Sequence, residues 1–351
     1  MKQKLLYLAA ASLLSLNVQA QQDGFFTSKL ASQKKFEADY LKAVNYDQFK
    51  VHLTELTKNP HITGTPENEL VKDYMVQVMS KAGMDVKVWP YDVYLPNHPG
   101  KSELQIISPV QLTLSQKEGE LAEDPFSTDP RLHLGFNAFS GSGDVTAEVV
   151  YVNYGTREDF MKLVEMGVPL KGKVAIARYG GNFRGYKAKF AEQQGMVGLV
   201  VYTDPKDSGF TRGDVYPKGP FYNETTIQRG SMLTLDFTGD PLTPNRPALP
   251  LDGPVKVKRD DPATVDFHTI PVTPIGYGAA KEILSRMNGA DVPAAWQGGL
   301  PFSYKLTGGA ELKVRVMVDQ KPEFIRANNV VGTFIGKDHP EEWKRQQNTS
   351  N

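Results

Sequence analysis

Metal or nucleophile chemistry needs particular side chains brought to one point, and this sequence offers few candidates. Its histidines are His52, His61, His98, His133, His268 and His339. No two lie within eight residues of each other, and none stands in the His-Glu-x-x-His spacing that puts two ligands on one helical turn. There is no cysteine, which excludes disulfides, thiolate metal sites and a Cys nucleophile. Any metal would need His, Asp or Glu. The Gly-x-Ser-x-Gly nucleophile elbow is absent, and "FSGSGD" at 139–144 only resembles it. The phosphate-binding and dinucleotide-binding glycine motifs are absent too. Taken alone, these residues assemble no catalytic constellation, and the scattered histidines read as surface or capping groups.

Composition narrows the classes further. Lys+Arg and Asp+Glu balance at 40 each, so no field of one sign points to nucleic acid, an anionic membrane or an acidic substrate. The apolar share of 40% is that of a folded chain, and 351 residues suffice for two domains. The first residues read as a signal peptide: Lys2 and Lys4, an apolar run from Leu5 to Leu16, then "VQA" ending at Ala20. Cleavage after Ala20 would give a secreted or periplasmic protein. No Cys follows to carry a lipid, and no later segment is apolar enough to span a bilayer.

The elements that must position any site come next. Residues 34–57 carry Phe36, Tyr40, Leu41, Val44, Phe49, Leu53 and Leu56 at spacings of one or two amphipathic helices. In "TPENELVKDYMVQVMSKAG" Thr65 is placed to cap, Pro66 suits the first helical position and Gly83 ends the helix. Its stripe of Leu70, Val71, Tyr74, Met75, Val78 and Met79 reads as core. "DVKVWPYDVYL" and "SELQIIS" read as strands. The polar, turn-rich stretch after residue 110 marks a domain boundary. Beyond it, "AEVVYVNYG", "REDFMKLVEMG", "GKVAIARYG", "FRGYKAKFAEQQG" and "MVGLVVYTDP" alternate strand and helix, as parallel strands with crossovers do. A long loop region runs from Lys206 to about Pro271, and "PIGYGAAKEILSRMNG" is a capped helix. "ELKVRVMVD" alternates as a half-buried, antiparallel strand with Leu312, Val314, Val316 and Val318 on one face.

Several stretches carry a resemblance. "PHITGTPENE", "FNAFSGSGDVTAEVVYVNYG", "GKVAIARYGGNFRGYKAKFAEQQG", "VVYTDPKD", "IQRGS", "GDPLTPNRPALP" and "IPVTPIGYGAAKEIL" occur in order. Together they resemble the glutamate carboxypeptidase II family of di-zinc exopeptidases, relatives of the transferrin receptor ectodomain, over roughly residues 35–343. The resemblance implies a mixed α/β and β-rich fold. Part of an α/β zinc-exopeptidase domain would hold an inserted protease-associated (apical) domain, sandwich- or barrel-like and flanked by helices. It divides the chain into a signal peptide (1–20), a first peptidase segment (21–110), a protease-associated domain (111–320) and a return strand with its tail (321–351).

Residue by residue, the resemblance puts Arg184 where the family grips the substrate's terminal carboxylate. Read without the family, Arg184 is a solvated charge. Ser231 stands where glutamate-selective members have an asparagine, which weakens any claim of glutamate specificity. The backbone carbonyls of Thr243 and Arg246 match part of a structural calcium site, whose carboxylates would lie elsewhere, and no calcium is expected here. Asp240 reads as a cap for backbone amides. Complete members bind two zinc ions and a calcium; the family's zinc ligands and general-base glutamate follow the strand "NNVVGTFIG", and this sequence shows no match to them. His339 is not one of them. The chain is therefore expected to be a truncated or split peptidase, inactive alone, with no cofactor of its own. The competing expectations are a non-catalytic protein- or peptide-binding module and one half of an enzyme completed by a second chain. Peptide is the expected partner, nucleic acid and membrane are not, and a homodimer is doubtful without the family's dimerisation domain. Val330, Val331, Phe334 and Ile335 would lie uncovered, so the peptidase half is expected to be poorly ordered or sticky beside a folded protease-associated domain. Asn348–Ser350 matches a glycosylation sequon by chance.

Overall fold

A computed structural model describes residues 25–337 and Pro340. The expected leader ending at Ala20, His339 and the Asn348 sequon lie outside the described residues. The chain divides into a unit up to Thr57 and one from Lys58 onward. The first holds helices α1 (Leu30–Ala43) and α2 (Tyr46–Thr57), the pair that the apolar spacing predicts. Neither buries a residue.

The second unit begins with α3 (Pro66–Lys81), built as its sequence punctuation dictates. Thr65 accepts a hydrogen bond from Asn68 N, Pro66 occupies the first turn, and Gly83 takes a positive φ of 85°. Its apolar stripe differs from expectation. No residue of α3 is buried and Leu70 is 60% exposed. The reason is the thinness of what it covers, a two-stranded antiparallel ribbon of β1 (Asp85–Leu95) and β11 (Glu323–Thr333). Met79 and Met84 pack on Gly332 beneath it. Beyond the ribbon Phe334 and Ile335 are 64% and 73% exposed.

The core lies in a seven-stranded mixed sheet. Its strands are β2 (Lys101–Ser108), β3 (Leu112–Thr113), β5 (Gly143–Tyr151), β6 (Val174–Arg178), β7 (Gly198–Tyr202), β9 (Val272–Ile275) and β10 (Lys313–Asp319). Their order is β3-β2-β10-β5-β6-β7-β9. The pairs β5–β6, β6–β7 and β7–β9 are parallel, with α4 (Arg157–Glu165) and α5 (Arg184–Gln193) as crossovers. Strand β10 is antiparallel to both neighbours and buries Val314, Val316 and Val318, with Leu312 just before it, the face read from its alternation. Two short helices, α6 (Pro205–Ser208) and α7 (Tyr277–Leu284), follow β7 and β9. A parallel pair, β4 (Asn137–Ala138) with β8 (Gly230–Ser231), completes the unit.

One boundary moves. The sequence reading placed residues 101–110 with the peptidase segment, ending it at residue 110. In the structure β2 is an inner strand of the large sheet, pairing with β10 and β3. Leu104 and Ile106 are fully buried there, so this strand needs the sheet's core face. The polar stretch after residue 110 begins with β3, which pairs with β2. Among the described residues no helix is long and apolar enough to cross a membrane.

Candidate functional site

The site grows from the end of β6. Arg178, the last residue of that strand, is buried, and its Nε and Nη2 donate to the Asp207 carboxylate at 2.9 and 2.8 Å. Its guanidinium also lies 4.3 Å from the centre of the Tyr154 ring. The chain then turns through Gly180 and Gly181, both at positive φ, which glycine adopts without steric cost, and a Cβ on Gly181 would come within 2.7 Å of Tyr154. Lys187, buried on α5, closes this turn: its Nζ donates to the carbonyls of Tyr154 and Gly180 and to Asn182 Oδ1. Burial pulls the Lys187 ammonium down to about 7, against the attraction of Asp159.

This braced turn delivers Arg184 at the first position of α5. Its Nη1 donates to the backbone carbonyl of Ser231 at 3.3 Å. The guanidinium carbon lies 5.2 and 5.9 Å from the rings of Phe183 and Tyr179. Its Nε is buried and finds no acceptor among the described residues. The two positions singled out in the sequence are thus brought together across 47 residues of chain. The contact is to the main chain of Ser231. Its hydroxyl accepts from Leu233 N at 3.1 Å, as a local turn.

Residues that the sequence reading passed over shape this pair. Gly230 stands at φ 144°, and a Cβ there would fall 2.3 Å from Arg184 Nη1. Asn137 Nδ2 donates to Gly230 O at 3.2 Å and to the Tyr179 hydroxyl at 3.1 Å. The Tyr179 hydroxyl donates to Gln228 O at 2.8 Å, and burial pushes its pKa up to about 12. Nothing in the residue types marks Asn137 or Tyr179, since both act through a fold that joins distant segments.

The backbone carbonyls of Thr243 and Arg246, matched by resemblance to part of a calcium site, both lie on one side of Gly239, and that of Thr243 also accepts from Arg246 N at 3.0 Å. Asp240 caps amides as its sequence suggests, accepting from Tyr94 N at 2.5 Å and Leu242 N at 3.0 Å. The described residues do not fit zinc. No group of three or more His, Cys, Asp or Glu among them converges on a point. A separate cleft of about 440 Å³ is lined by residues around His133 and Phe221 and by the ion-paired Arg229 and Glu118.

Comparison with known proteins joins this geometry to a family. Residues 145–234, from β5 to just past β8, match the model of the PA domain. The chain is 33% identical over 318 residues to the "Glutamate carboxypeptidase 2 homolog" of Caenorhabditis elegans, covering 86% of this chain and 40% of that protein. It is 32% identical over 315 residues to "Aminopeptidase NAALADL1" of Mus musculus, covering 84% of this chain and 41% of that one. The chain thus spans about 40% of the length of these relatives. Among solved structures, BSAP, a zinc aminopeptidase from Bacillus subtilis, matches at 15% identity with a TM-score of 0.40, covering 82% of this chain and 46% of that one, a likeness too slight to argue from. Two independent matches, the domain model and relatives aligned along most of its length, place the chain in the glutamate carboxypeptidase II-like family, with a PA domain.

Proposed function

We propose that this chain contributes substrate recognition to an exported zinc exopeptidase, with Arg184 as the group that grips the free C-terminal carboxylate of a peptide. The observation that carries this reading is the state of Arg184 itself. Its guanidinium is held by a braced turn and one long hydrogen bond, while Nε has no acceptor among the described residues. A guanidinium stays charged at every physiological pH and presents a planar fork that fits two carboxylate oxygens. In such an enzyme zinc would activate water and polarise the scissile carbonyl. The described residues offer no set to hold it, so the part proposed for them is binding and orientation, without hydrolysis.

The test is calorimetric titration of the chain with N-acetyl-Ala-Glu and with the same peptide as its C-terminal amide. The free acid binds and the amide does not. Arg184→Gln weakens binding of the acid by about 2 kcal/mol, roughly thirtyfold, as loss of a charge-assisted pair should. Equal binding of acid and amide, or an unchanged Arg184→Gln, refutes the reading.

A further inference from the structure

Lys187 stands three residues after Arg184 on α5 and is fully buried. An ammonium carries three N–H bonds, and this one meets three acceptors. They are the Tyr154 carbonyl, the Gly180 carbonyl at 2.7 Å and Asn182 Oδ1 at 2.8 Å. Its donors are thus engaged within the protein. The acceptors come from two turns: Tyr154 follows β5, while Gly180 and Asn182 follow β6. Strands β5 and β6 are parallel neighbours, so both turns leave the sheet at its carboxyl edge, the edge where ligands bind in sheets of this kind. Asn182 Nδ2 donates to Gly155 O at 3.2 Å and laces the two turns a second time. The stem of Lys187 runs close over Gly155, where an added Cβ would come within 3.2 Å of it.

Arg184 leans on the second of these turns. The two rings beside its guanidinium, Tyr179 and Phe183, stand at the ends of the stretch 179–183, and Gly180 and Asn182 lie inside it. Gly180 and Gly181 give that stretch a backbone with many accessible conformations, so a tie from outside is needed to select one. Lys187 supplies it at two points, Gly180 and Asn182. The hydrogen bond that Arg184 makes to Ser231 O is long at 3.3 Å, which leaves the turn to set the direction of the side chain.

We infer that Lys187 is a positioning residue: by drawing three oxygens of two turns to one point, it aims the Arg184 guanidinium at a carboxylate, an inference that rests on the reading proposed above. Asn182 is its partner in this, since it both accepts from the ammonium and reaches Gly155.

Two variants test it. Lys187→Met keeps the length of the side chain and removes its donors. Asn182→Ala removes one acceptor and the tie to Gly155; Asn182 is half-buried on the turn, so this variant keeps the sheet and α5 and carries the test alone should Lys187→Met fail to fold. The first readout needs no ligand. In the wild type the ¹H–¹⁵N nuclear Overhauser effect at Arg184 Nε equals that of the backbone amides of β6, and in both variants it falls toward that of the exposed Arg212. An Arg184 signal unchanged in the folded variants overturns the inference, because a role in overall stability alone would leave it unchanged while lowering the urea midpoint. The second readout is affinity for N-acetyl-Ala-Glu. Each substitution lowers it several-fold in the wild type and no further in an Arg184→Gln background, since a residue that acts through Arg184 then has nothing to act through. Equal losses in the two backgrounds overturn the inference. No binding by the wild type, with Arg184 loosened in the variants, overturns the carboxylate reading and leaves the positioning of Arg184 by Lys187 supported.

Discussion

Gly230 shows how much of the recognition pair rests on a residue with no side chain. Its φ of 144° is one that a side chain makes costly, and a Cβ would meet the tip of Arg184 at 2.3 Å. Arg184 is long and partly exposed, so it can move aside, and the protein should still fold. We expect Gly230→Ala to lower stability by about 1–3 kcal/mol, the usual range for a strained backbone position. It should also reproduce most of the binding loss of Arg184→Gln. Urea denaturation and peptide titration of the same variant measure the two effects, and an unchanged peptide affinity would show that the position of Arg184 is not set here. Arg184 and Ser231 were legible through their resemblance to a family pattern. Gly230 was visible as a letter in "QRGS", but its role depends on a backbone angle and on a neighbour 46 residues away. The main-chain nature of the Ser231 contact was hidden for the same reason. A comparison of side chains at that position cannot reveal a bond to a carbonyl.

Elements were legible where local rules act alone. The cap at Thr65, the crossover helices α4 and α5 and the alternating face of β10 follow from spacing and capping chemistry. What failed was assignment across distance. Strand β2 was read as a strand of the segment ending at residue 110 with no partner assigned, and its partner β10 lies more than 200 residues on. The ribbon of β1 and β11 has its own long-range tie. Asp92, buried on β1, accepts from Arg326 Nε and Nη2 and from Leu251 N, and Arg326 Nη2 also reaches Asp252 at 2.8 Å. The Arg326 bonds hold the Asp92 carboxyl below its ordinary 3.8, ahead of the Leu251 bond and against burial. A depressed carboxyl contributes stability that is full above the unfolded value and is lost as pH falls through the folded one. Asp92→Asn should therefore cost about 1–3 kcal/mol at neutral pH, as loss of hydrogen bonds to a charged group does. The difference from wild type should hold down to about pH 4 and close only below it. Thermal melts of both proteins across that range decide the matter. A gap that shrinks already between neutral pH and pH 5 would mean another group carries the effect.

At the scale of the molecule the chain spreads its burial unevenly, and stability should follow. In the large sheet β6 and β7 are buried at every position and are flanked by crossover helices. The ribbon of β1 and β11 buries Asp92 alone, and α1 and α2 bury nothing. Burial of each large apolar side chain contributes about 1.5–3 kcal/mol, so the sheet holds most of what resists opening. Helices of 14 and 12 residues with Phe36, Tyr40, Phe49 and Leu53 exposed gain little beyond their own propensity, which is marginal in water at such lengths. Native-state hydrogen exchange on the full chain should therefore resolve three levels. Amides of β5, β6, β7 and β10 exchange slowest, near the rate of global unfolding. Those of the β1–β11 ribbon open earlier, since Trp89 and Val331, on the face turned away from Met79 of α3, are about half exposed. Those of α1 and α2 exchange fastest. Slow exchange in α1 and α2 would contradict this order directly, because burial along the chain supplies no cause for it. Equal protection of ribbon and sheet would mean that the ribbon's exposed face is covered in solution, and a dilution series would then tell whether a second copy covers it.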